Sequence, residues 1–499
     1  MKPYLLAHDL GTSGNKATLF DIEGNLIASR TASYETSYAT GNRAEQNPAD
    51  WWRAVCDTSR AILMLVDKNE IGAVTLSGQM MGCLCVDRFG RPLRNAIIYS
   101  DQRATEEARI LLERVDGRDL YRTTGHRISA SYSVEKLMWI KANEPEAYRI
   151  TRKMLQAKDY INFKLTGRMA TDFNDASGTN CFDIGSKQWA QAIVTASGVD
   201  PEMLPEAHPS TSVLAAVTAE ASAETGLAAG TPVVIGAGDG GCATVGAGCV
   251  KEGVFYHYLG SSSWISSATS EPLIDEEMRT FTWVHPAAEL YQPCGTVQTA
   301  GSAVSWLAGQ IYAGGSGIGE AEALAAVNRE AAASPVGANG LVFLPYLLGE
   351  RSPRWNPEAK GAWIGLKLTN TRGDLARSVL EGVALNLEIV LSVLRGRLAV
   401  PEIILIGGGA RSLLWRQILA DTYGVRILVP ERVEEATSMG AAIIGGVGTG
   451  CFDFAEGARR FVHVTETVDP EPSAQAQYAK MKLLFEECYR VLERTMGKM

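Results

Sequence analysis

The sequence contains no Cys-x-x-Cys pair, no two histidines at ligand spacing and no G-x-x-x-x-G-K-[ST] segment. The first two absences remove the usual frames for structural zinc, and the third removes a P-loop kinase. Nine cysteines, at positions 56, 83, 85, 181, 242, 249, 294, 451 and 488, form an odd set. An odd set cannot pair completely within one chain, so reduced and mostly buried thiols are expected. Cys83 and Cys85 have the spacing of one strand face, which points to packing rather than redox chemistry. Positive charge is also in short supply. There are 47 Lys and Arg against 56 Asp and Glu, a formal net charge of −9. Nucleic-acid binders normally carry a basic face, so no nucleic-acid partner is expected. The longest stretch free of Asp, Glu, Lys and Arg, Leu290–Gly319, is interrupted by Gly, Ser, Gln and Thr and does not read as a membrane helix. Met1-Lys2-Pro3 leads into a short apolar run that soon meets Asp9, unlike a signal peptide. A cytoplasmic protein with no membrane partner is the expectation.

What is present suits a large globular chain. Its 499 residues suggest about two to four domains at roughly 150 residues each. Hydrophobic residues make up 46% and charged residues 21%, enough for a sizeable core and against wholesale disorder. Glycine stands out, at 50 residues against a typical share of about 7%.

Tyr4–Asp21 reads as strand, tight turn and strand, with Gly11 and Gly14 supplying the turn, and Leu26–Ser29 reads as a third strand. Asn47-Pro48-Ala49-Asp50 is a helix start ahead of a helix over Trp51–Val66. A buried strand Ala73–Leu76 and a helix Ala104–Val115 follow. Gly253–Ser267 repeats the hairpin pattern. Thr371 with Asp374 three residues on opens a helix whose apolar positions recur at helical spacing. Ile403–Ile406, Gly407-Gly408-Gly409, a helix and Arg426–Val429 complete a second half. The reading is two α/β domains, 1–245 and 246–499, with a boundary near Gly246–Lys251 and a ligand cleft between them.

Four small-residue turns, Asp9–Gly14, Gly236–Gly241, Gly260–Ser263 and Gly407–Gly409, offer backbone amides that an anion can approach closely. Together they favour a phosphate ligand over four plain hairpin turns. Asp9 ends a strand beside such a turn. It either holds magnesium against phosphate or closes an Asx-turn. Asp239 lies inside Gly236-Ala237-Gly238-Asp239-Gly240-Gly241, formally a dinucleotide fingerprint. No acid follows about 20 residues on, as that fingerprint requires. An acid within the loop suits a base facing a hydroxyl better. Ser77-Gly78-Gln79-Met80-Met81-Gly82 and Tyr99-Ser100-Asp101-Gln102-Arg103 each follow an apolar strand and could bind a polyhydroxylated ligand. Asp101 could instead cap the helix from Ala104.

These segments together resemble the FGGY carbohydrate kinase family, within the actin-like ATPase superfamily. Its xylulokinase-like branch is suggested by Asp9-Leu10-Gly11-Thr12-Ser13, by Ala44-Glu45-Gln46-Asn47-Pro48-x-Asp50-Trp51-Trp52, by Ser77-Gly78-Gln79-Met80 and by Gly407-Gly408-Gly409-Ala410-Arg411-Ser412-x-x-Trp415-Arg416-Gln417. One family signature is met throughout in Gly361-x-Trp363-x-Gly365-Leu366 and Asp374-Leu375-x-x-Ser378-Val379-Leu380-Glu381. Another is met in Ser131-x-Ser133-x-x-Lys136-Leu137-x-Trp139-Ile140, with Ala142 at a usually polar position.

The resemblance covers essentially the whole chain. It implies an α/β fold of two actin-like (ribonuclease H-like) domains facing a central cleft, with ATP and Mg2+ as cofactors and a small sugar as partner. It implies Asp239 as catalytic base and Asp9 as magnesium ligand. It puts Thr12, Gly260, Ser261 and Gly301 near the nucleotide phosphates, and Gly408, Gly409 and Ser412 near the adenosine. It puts Gln79, Met80, Met81 and Asp101 against the sugar. D-Xylulose is the first expected substrate, with L-ribulose, L-xylulose, gluconate, erythritol or glycerol as alternatives. Many members of this branch carry His where Met81 stands. An NAD-dependent oxidoreductase and a non-catalytic sugar-binding protein are the rival classes, and a homodimer is left open.

Overall fold

The computed structural model describes residues 2–314 and 319–499. Residues 315–318, within the uncharged run 290–319, lie outside the described residues. The chain divides into two compact units. One comprises Met1–Glu252, Ala268–Pro293 and Glu435–Val462, and the other Gly253–Ser267, Cys294–Glu434 and His463–Met499. A single boundary near Gly246–Lys251 does not express this division, because two later segments return to the first unit. Both units are α/β, as expected.

The first unit is built on six strands: β1 (Tyr4–Leu10), β2 (Gly14–Asp21), β3 (Leu26–Ser33), β4 (Ile71–Gly78), β5 (Val213–Ala216) and β6 (Pro232–Gly238). Their order is β5-β6-β4-β1-β2-β3. β1 and β6 each run parallel to β4, and the pairs β1–β2, β2–β3 and β5–β6 are antiparallel. β1 and β4 are buried on both faces, which is why they read as nearly continuous apolar runs. β3 is an edge strand whose exposed positions carry Arg30 and Thr31. It runs to Ser33 rather than Ser29, because its polar half pairs with Gly14–Ala17 of β2.

The second sheet has seven strands. Six are β7 (Phe255–Leu259), β8 (Ser263–Ser267), β9 (Tyr291–Val297), β10 (Glu402–Ile406), β11 (Arg426–Pro430) and β12 (Val464–Val468), ordered β9-β8-β7-β10-β11-β12, and Phe281–Val284 lies at the edge beside β9. β7 runs parallel to β10 and β10 to β11, while β7–β8, β8–β9 and β11–β12 are antiparallel. From β9 to β12 this is the strand order and polarity of the first sheet. The hairpin echo in the sequence is the visible end of a duplicated sheet.

Local chemistry explains the main helices. Asn47 Oδ1 accepts from Ala49 N at 3.1 Å and Pro48 is the first residue of the helix Pro48–Leu63, three residues earlier than expected. Thr371 and Asp374 form a reciprocal capping box on Arg372–Arg395, with Oγ1 accepting from Asp374 N at 3.2 Å and Asp374 Oδ2 from Thr371 N at 2.8 Å. Seven of the nine cysteines are buried: 56, 83, 85, 181, 242, 249 and 294.

Glycine serves packing more than the sequence suggests. Neither Gly11 nor Gly14 has a left-handed backbone. Gly14 is required because a Cβ there would sit 2.7 Å from Ala32 O of β3. Helix Asp239–Gly246 lies against helix Ala436–Gly448 through two glycines. A Cβ on Gly246 would lie 1.7 Å from Ala436 O, and one on Gly440 would lie 1.8 Å from Cys242 O. Gly440→Ala is therefore expected to destabilise the protein by about 1–3 kcal/mol or more, since no side-chain movement relieves a backbone clash. Gly497→Ala, with open space at its Cβ, serves as control. Urea midpoints measure both, and equal midpoints would refute the close-packed helix pair.

Candidate functional site

In the first unit, three parallel strands end side by side, and their carboxyl ends carry the polar residues singled out from the sequence. The register sets Asp9 beside Ser77 and Ala237 beside the same Ser77. Asp9 and Ala237 are thus two strand spacings apart, roughly 10 Å. Asp239 follows two residues later as the first residue of helix Asp239–Gly246.

The two carboxylates differ in their support. Ser77 Oγ donates to Asp9 Oδ1 at 2.9 Å. Burial raises the Asp9 carboxyl above its usual range, Ser77 and Lys16 oppose this, and Glu435 adds to it. Lys16 pairs with Asp9 in the β1–β2 register and makes an ion pair with Glu435 at 2.5 Å. Asp239 has less help. Its Oδ1 accepts from its neighbour Gly240 N at 2.7 Å. Burial pushes its carboxyl up to about 7, and repulsion from Asp9 contributes. The Asp9 charge is therefore felt at Asp239.

The glycines around Asp239 do not form a free anion cradle. Gly236 has φ +78° and a Cβ there would sit 1.8 Å from Leu76 O. On Gly238 it would meet the Met80 thioether, and on Gly241 the Asn174 amide. Gly238 N is already bonded to Asn174 Oδ1 at 3.1 Å. The fingerprint-like spacing of 236–241 records close packing, not a dinucleotide turn.

Gln79, Met80 and Met81 follow β4 and are 3%, 6% and 8% exposed. Gln79 N donates to Leu10 O at 2.9 Å, and its side-chain amide donates to Gln46 Oε1 at 2.7 Å. Gln46 in turn donates to Thr12 O at 2.7 Å. Gln79 Oε1 is buried with no hydrogen-bond partner. Thr12 Oγ1 shares a hydrogen bond with Tyr99 OH at 3.2 Å. Gln46 and Tyr99 thus tie the hairpin to this segment. The sequence marks Gln46 only as part of the family-like segment Ala44–Trp52 and gives it no site role.

Asp101 is fully buried and bonded within the protein. Oδ2 accepts from Ala44 N at 2.6 Å and from Arg103 Nη2 at 2.7 Å, and Oδ1 from Arg103 N and Nε at 2.9 Å. Arg103 and Ala44 N thus hold its carboxylate in place. It does not cap the following helix, whose N-terminus at Ala104 has no side-chain cap.

The second unit holds a cavity of about 770 Å³, within the range of small-molecule sites. Gly260, Ser261, Gly301, Gly408, Gly409 and Ser412 all line it. Thr12 belongs to the first unit. Leu380, which belongs to a family signature, also lines the cavity, as do Tyr258 and Asn328, to which the sequence assigns no role. The Tyr258 ring stacks on Trp264 at 4.0 Å and 12°. Ser302 N donates to Ser261 O at 3.1 Å and Gly301 N to Gly260 O at 2.8 Å, stitching two of the small-residue turns together. The Ser412 hydroxyl donates to Asn328 Oδ1 and caps helix Leu413–Tyr423 by accepting from Trp415 N at 3.2 Å. Gly407 and Gly409 pack on Leu259, whereas Gly408 stays open towards the cavity.

Family models decide what these parts belong to. Residues 4–246 match the N-terminal domain of the FGGY family of carbohydrate kinases, and residues 256–449 match its C-terminal domain. The chain belongs to the FGGY carbohydrate kinases. It is a sugar phosphotransferase, which removes the oxidoreductase and the non-catalytic binding protein as readings. The xylulose kinase of Escherichia coli K12 is 32% identical over 87% of this chain and 88% of its own. Two solved structures from Lactobacillus acidophilus, a gluconate kinase and a ligand-bound xylulose kinase, each superpose with a TM-score of 0.92 at 27% identity, covering 99% of both chains. No helix among the described residues is long and apolar enough to cross a membrane.

The Asp101–Arg103 pair gives a stability prediction for this kinase. Asp101→Ala leaves Arg103, whose side chain is 3% exposed, with Glu45 as its remaining ion-pair partner at 2.7 Å and removes the acceptor of Ala44 N, and is expected to lower unfolding free energy by about 1–3 kcal/mol. Chemical denaturation measures it. A loss under about 1 kcal/mol, as for a surface pair, would contradict the buried pairing.

Proposed function

We propose that this kinase phosphorylates D-xylulose at the expense of ATP, with Asp239 as general base. The observation that carries the reading is the Asp239 carboxyl, raised to about 7 by burial and by Asp9 at the end of the parallel strand on the other side of β4. A base with that affinity for protons is matched to taking one from a sugar hydroxyl near neutral pH. The hydroxyl oxygen attacks the γ-phosphorus in line, its proton passes to Asp239, and ADP leaves. Positioning and charge neutralisation supply most of the rate, since little covalent chemistry falls to the protein.

The donor set fits magnesium, a hard cation that keeps several waters and takes few carboxylates. Asp9 is the residue proposed to hold it, and when bound it would neutralise charge on the transferring phosphate. Among the described residues no cluster of three or more His, Cys, Asp or Glu side chains is placed to cage a metal. Two carboxylates that repel each other across β4 remain a natural place for a cation.

ATP is assigned to the second unit's cavity. Gly260, Ser261 and Gly301 are proposed to meet its phosphates, together with Thr12, and Gly408, Gly409 and Ser412 its adenosine. Because the Ser412 hydroxyl is engaged with Asn328 and Trp415 N, its part is to shape the pocket wall. Gln79, Met80, Met81 and Asp101 are proposed to face the sugar. The name of the Escherichia coli relative supports xylulose as substrate. Gluconate is the second reading, because a gluconate kinase superposes equally well. Ends near Gly246–Lys251 and a cytoplasmic location remain part of the proposal.

ADP release across a panel of D-xylulose, L-ribulose, L-xylulose, D-ribulose, glycerol, erythritol and gluconate tests the substrate. D-Xylulose is expected to have the highest kcat/KM, and a higher value for any other member replaces it. Asp239→Asn is expected to lower kcat by about 10²–10⁴-fold while ATP still binds by calorimetry. Turnover within about tenfold of wild type would remove Asp239 from the base role. The sign of the pH effect follows from the raised carboxyl. Asp239 must be ionised to accept a proton, so kcat/KM should fall as pH drops through about 7. A profile flat from about pH 5 to 7 would argue for an ordinary, unburied carboxylate.

A further inference from the structure

Lys136 belongs to a sequence motif that the chemistry above leaves unused. It lies on the helix Ser133–Asn143 and is fully buried. Its ammonium donates to two backbone carbonyls, Met81 O at 2.8 Å and Ser131 O at 2.5 Å. No ion pair to it is found among the described residues. A buried ammonium satisfied by carbonyls alone is an expensive way to fill a core position. Met81 is unusual in the same way. It is a bulky residue with φ +61°, in the left-handed region that such side chains avoid. Its neighbours explain why the backbone stays there: Gln79 N is bonded to Leu10 O on one side, and the Met81 carbonyl is held by Lys136 on the other.

We infer that Lys136 is a positioning residue for the sugar: by holding the Met81 carbonyl it keeps Gln79, Met80 and Met81 in the conformation that presents them to the substrate. The inference rests on the reading of Gln79–Met81 as the sugar-facing segment. Lys136 itself is fully buried and offers a ligand no exposed surface. The charged and titratable groups around it are Cys83, Asp101 and Glu135, which favour the ammonium, and Arg103, which disfavours it. Burial outweighs them and lowers the lysine to about 7. Above that pH the charge-assisted bonds to the carbonyls become ordinary amine bonds, roughly half as strong. The strained segment should then relax, and sugar affinity should fall while nucleotide affinity stays.

The test is steady-state kinetics of the wild type, Lys136→Gln and Met81→Ala from about pH 6 to 9, using whichever panel sugar is turned over. In the wild type the sugar KM is expected to rise on the alkaline side while the ATP KM stays level. Lys136→Gln, with a neutral amide that does not titrate, is expected to raise the sugar KM by about tenfold at pH 6. It should abolish the alkaline rise and leave kcat within about threefold. The acid limb assigned to Asp239 should persist in it. A wild-type sugar KM that is flat with pH overturns the inference, even if the variant fails to fold. So does a Lys136→Gln enzyme with wild-type sugar KM, or one that weakens both substrates equally. If Met81→Ala leaves the sugar KM unchanged, the assignment of the segment fails instead. If no sugar is turned over, the substrate reading itself fails.

Discussion

Two carboxylates of like charge, held in partly buried positions at the ends of the parallel strands on either side of β4, set the terms for this protein. Asp9 and Asp239 cannot drift apart, because β1, β4 and β6 fix their backbones in register. Nor can either lower its energy by turning to water, since burial raises both. Repulsion from Asp9 in a medium of reduced dielectric makes the Asp239 carboxyl more basic than it would be alone. An isolated pair of this kind would be a liability to stability. It persists because the folded scaffold around it is rigid, and a carboxyl shifted towards neutral pH is the result.

That rigidity has an identifiable source in glycine. Helix Asp239–Gly246 can start at Asp239 only because Gly236 lets β6 approach β4 and because Gly246 and Gly440 bring two helices into backbone contact. The helix supplying Gly440 comes from residues 436–448, far along the chain, yet it belongs to the first unit. Its Gly445 is in turn pressed on Thr75 of β4, where a Cβ would lie 2.1 Å from Oγ1. The strand that carries Ser77, the helix that carries Asp239 and a late helix are thus locked by small residues at each crossing.

Much of the fold was legible because local signals agreed with tertiary demands. The opening hairpin, the helix after Asn47-Pro48, the capping box at Thr371 and the run Ile403–Val429 all appear where patterning puts them. Boundaries slipped where pairing decided them, as in the polar half of β3. The division into units was hidden because it depends on contacts between distant segments, which no window of sequence reveals. The glycine clusters were read as phosphate turns, yet Gly14, Gly236, Gly246 and Gly440 answer to backbone approach and Gly241 to the Asn174 amide. The partners of Asp101 were hidden for a related reason, since Ala44 N reaches its carboxylate from a distant turn of the chain and Arg103 folds back onto it. Asn328 and Tyr258 were invisible because a cavity wall has no periodicity.

The choice of sugar is a separate matter from the fold. A gluconate kinase and a xylulose kinase superpose on this chain equally well, so the backbone alone does not distinguish an acidic open-chain ligand from a neutral ketose. Discrimination must come from a few side chains, and hydroxyl recognition is sharpest where a buried polar group would be left unpaired without its ligand. In the segment proposed to face the sugar, Met80 and Met81 offer thioethers, which are weak acceptors and no donors. The unpaired Oε1 of Gln79 is an acceptor waiting for a hydroxyl. A site composed this way selects for hydroxyl donors at one point and for shape elsewhere. It has no cation in the segment with which to reward a carboxylate, since the Lys136 ammonium is spent on backbone carbonyls behind it. This distribution of donors and acceptors favours a neutral sugar over a sugar acid, independently of the relatives' names.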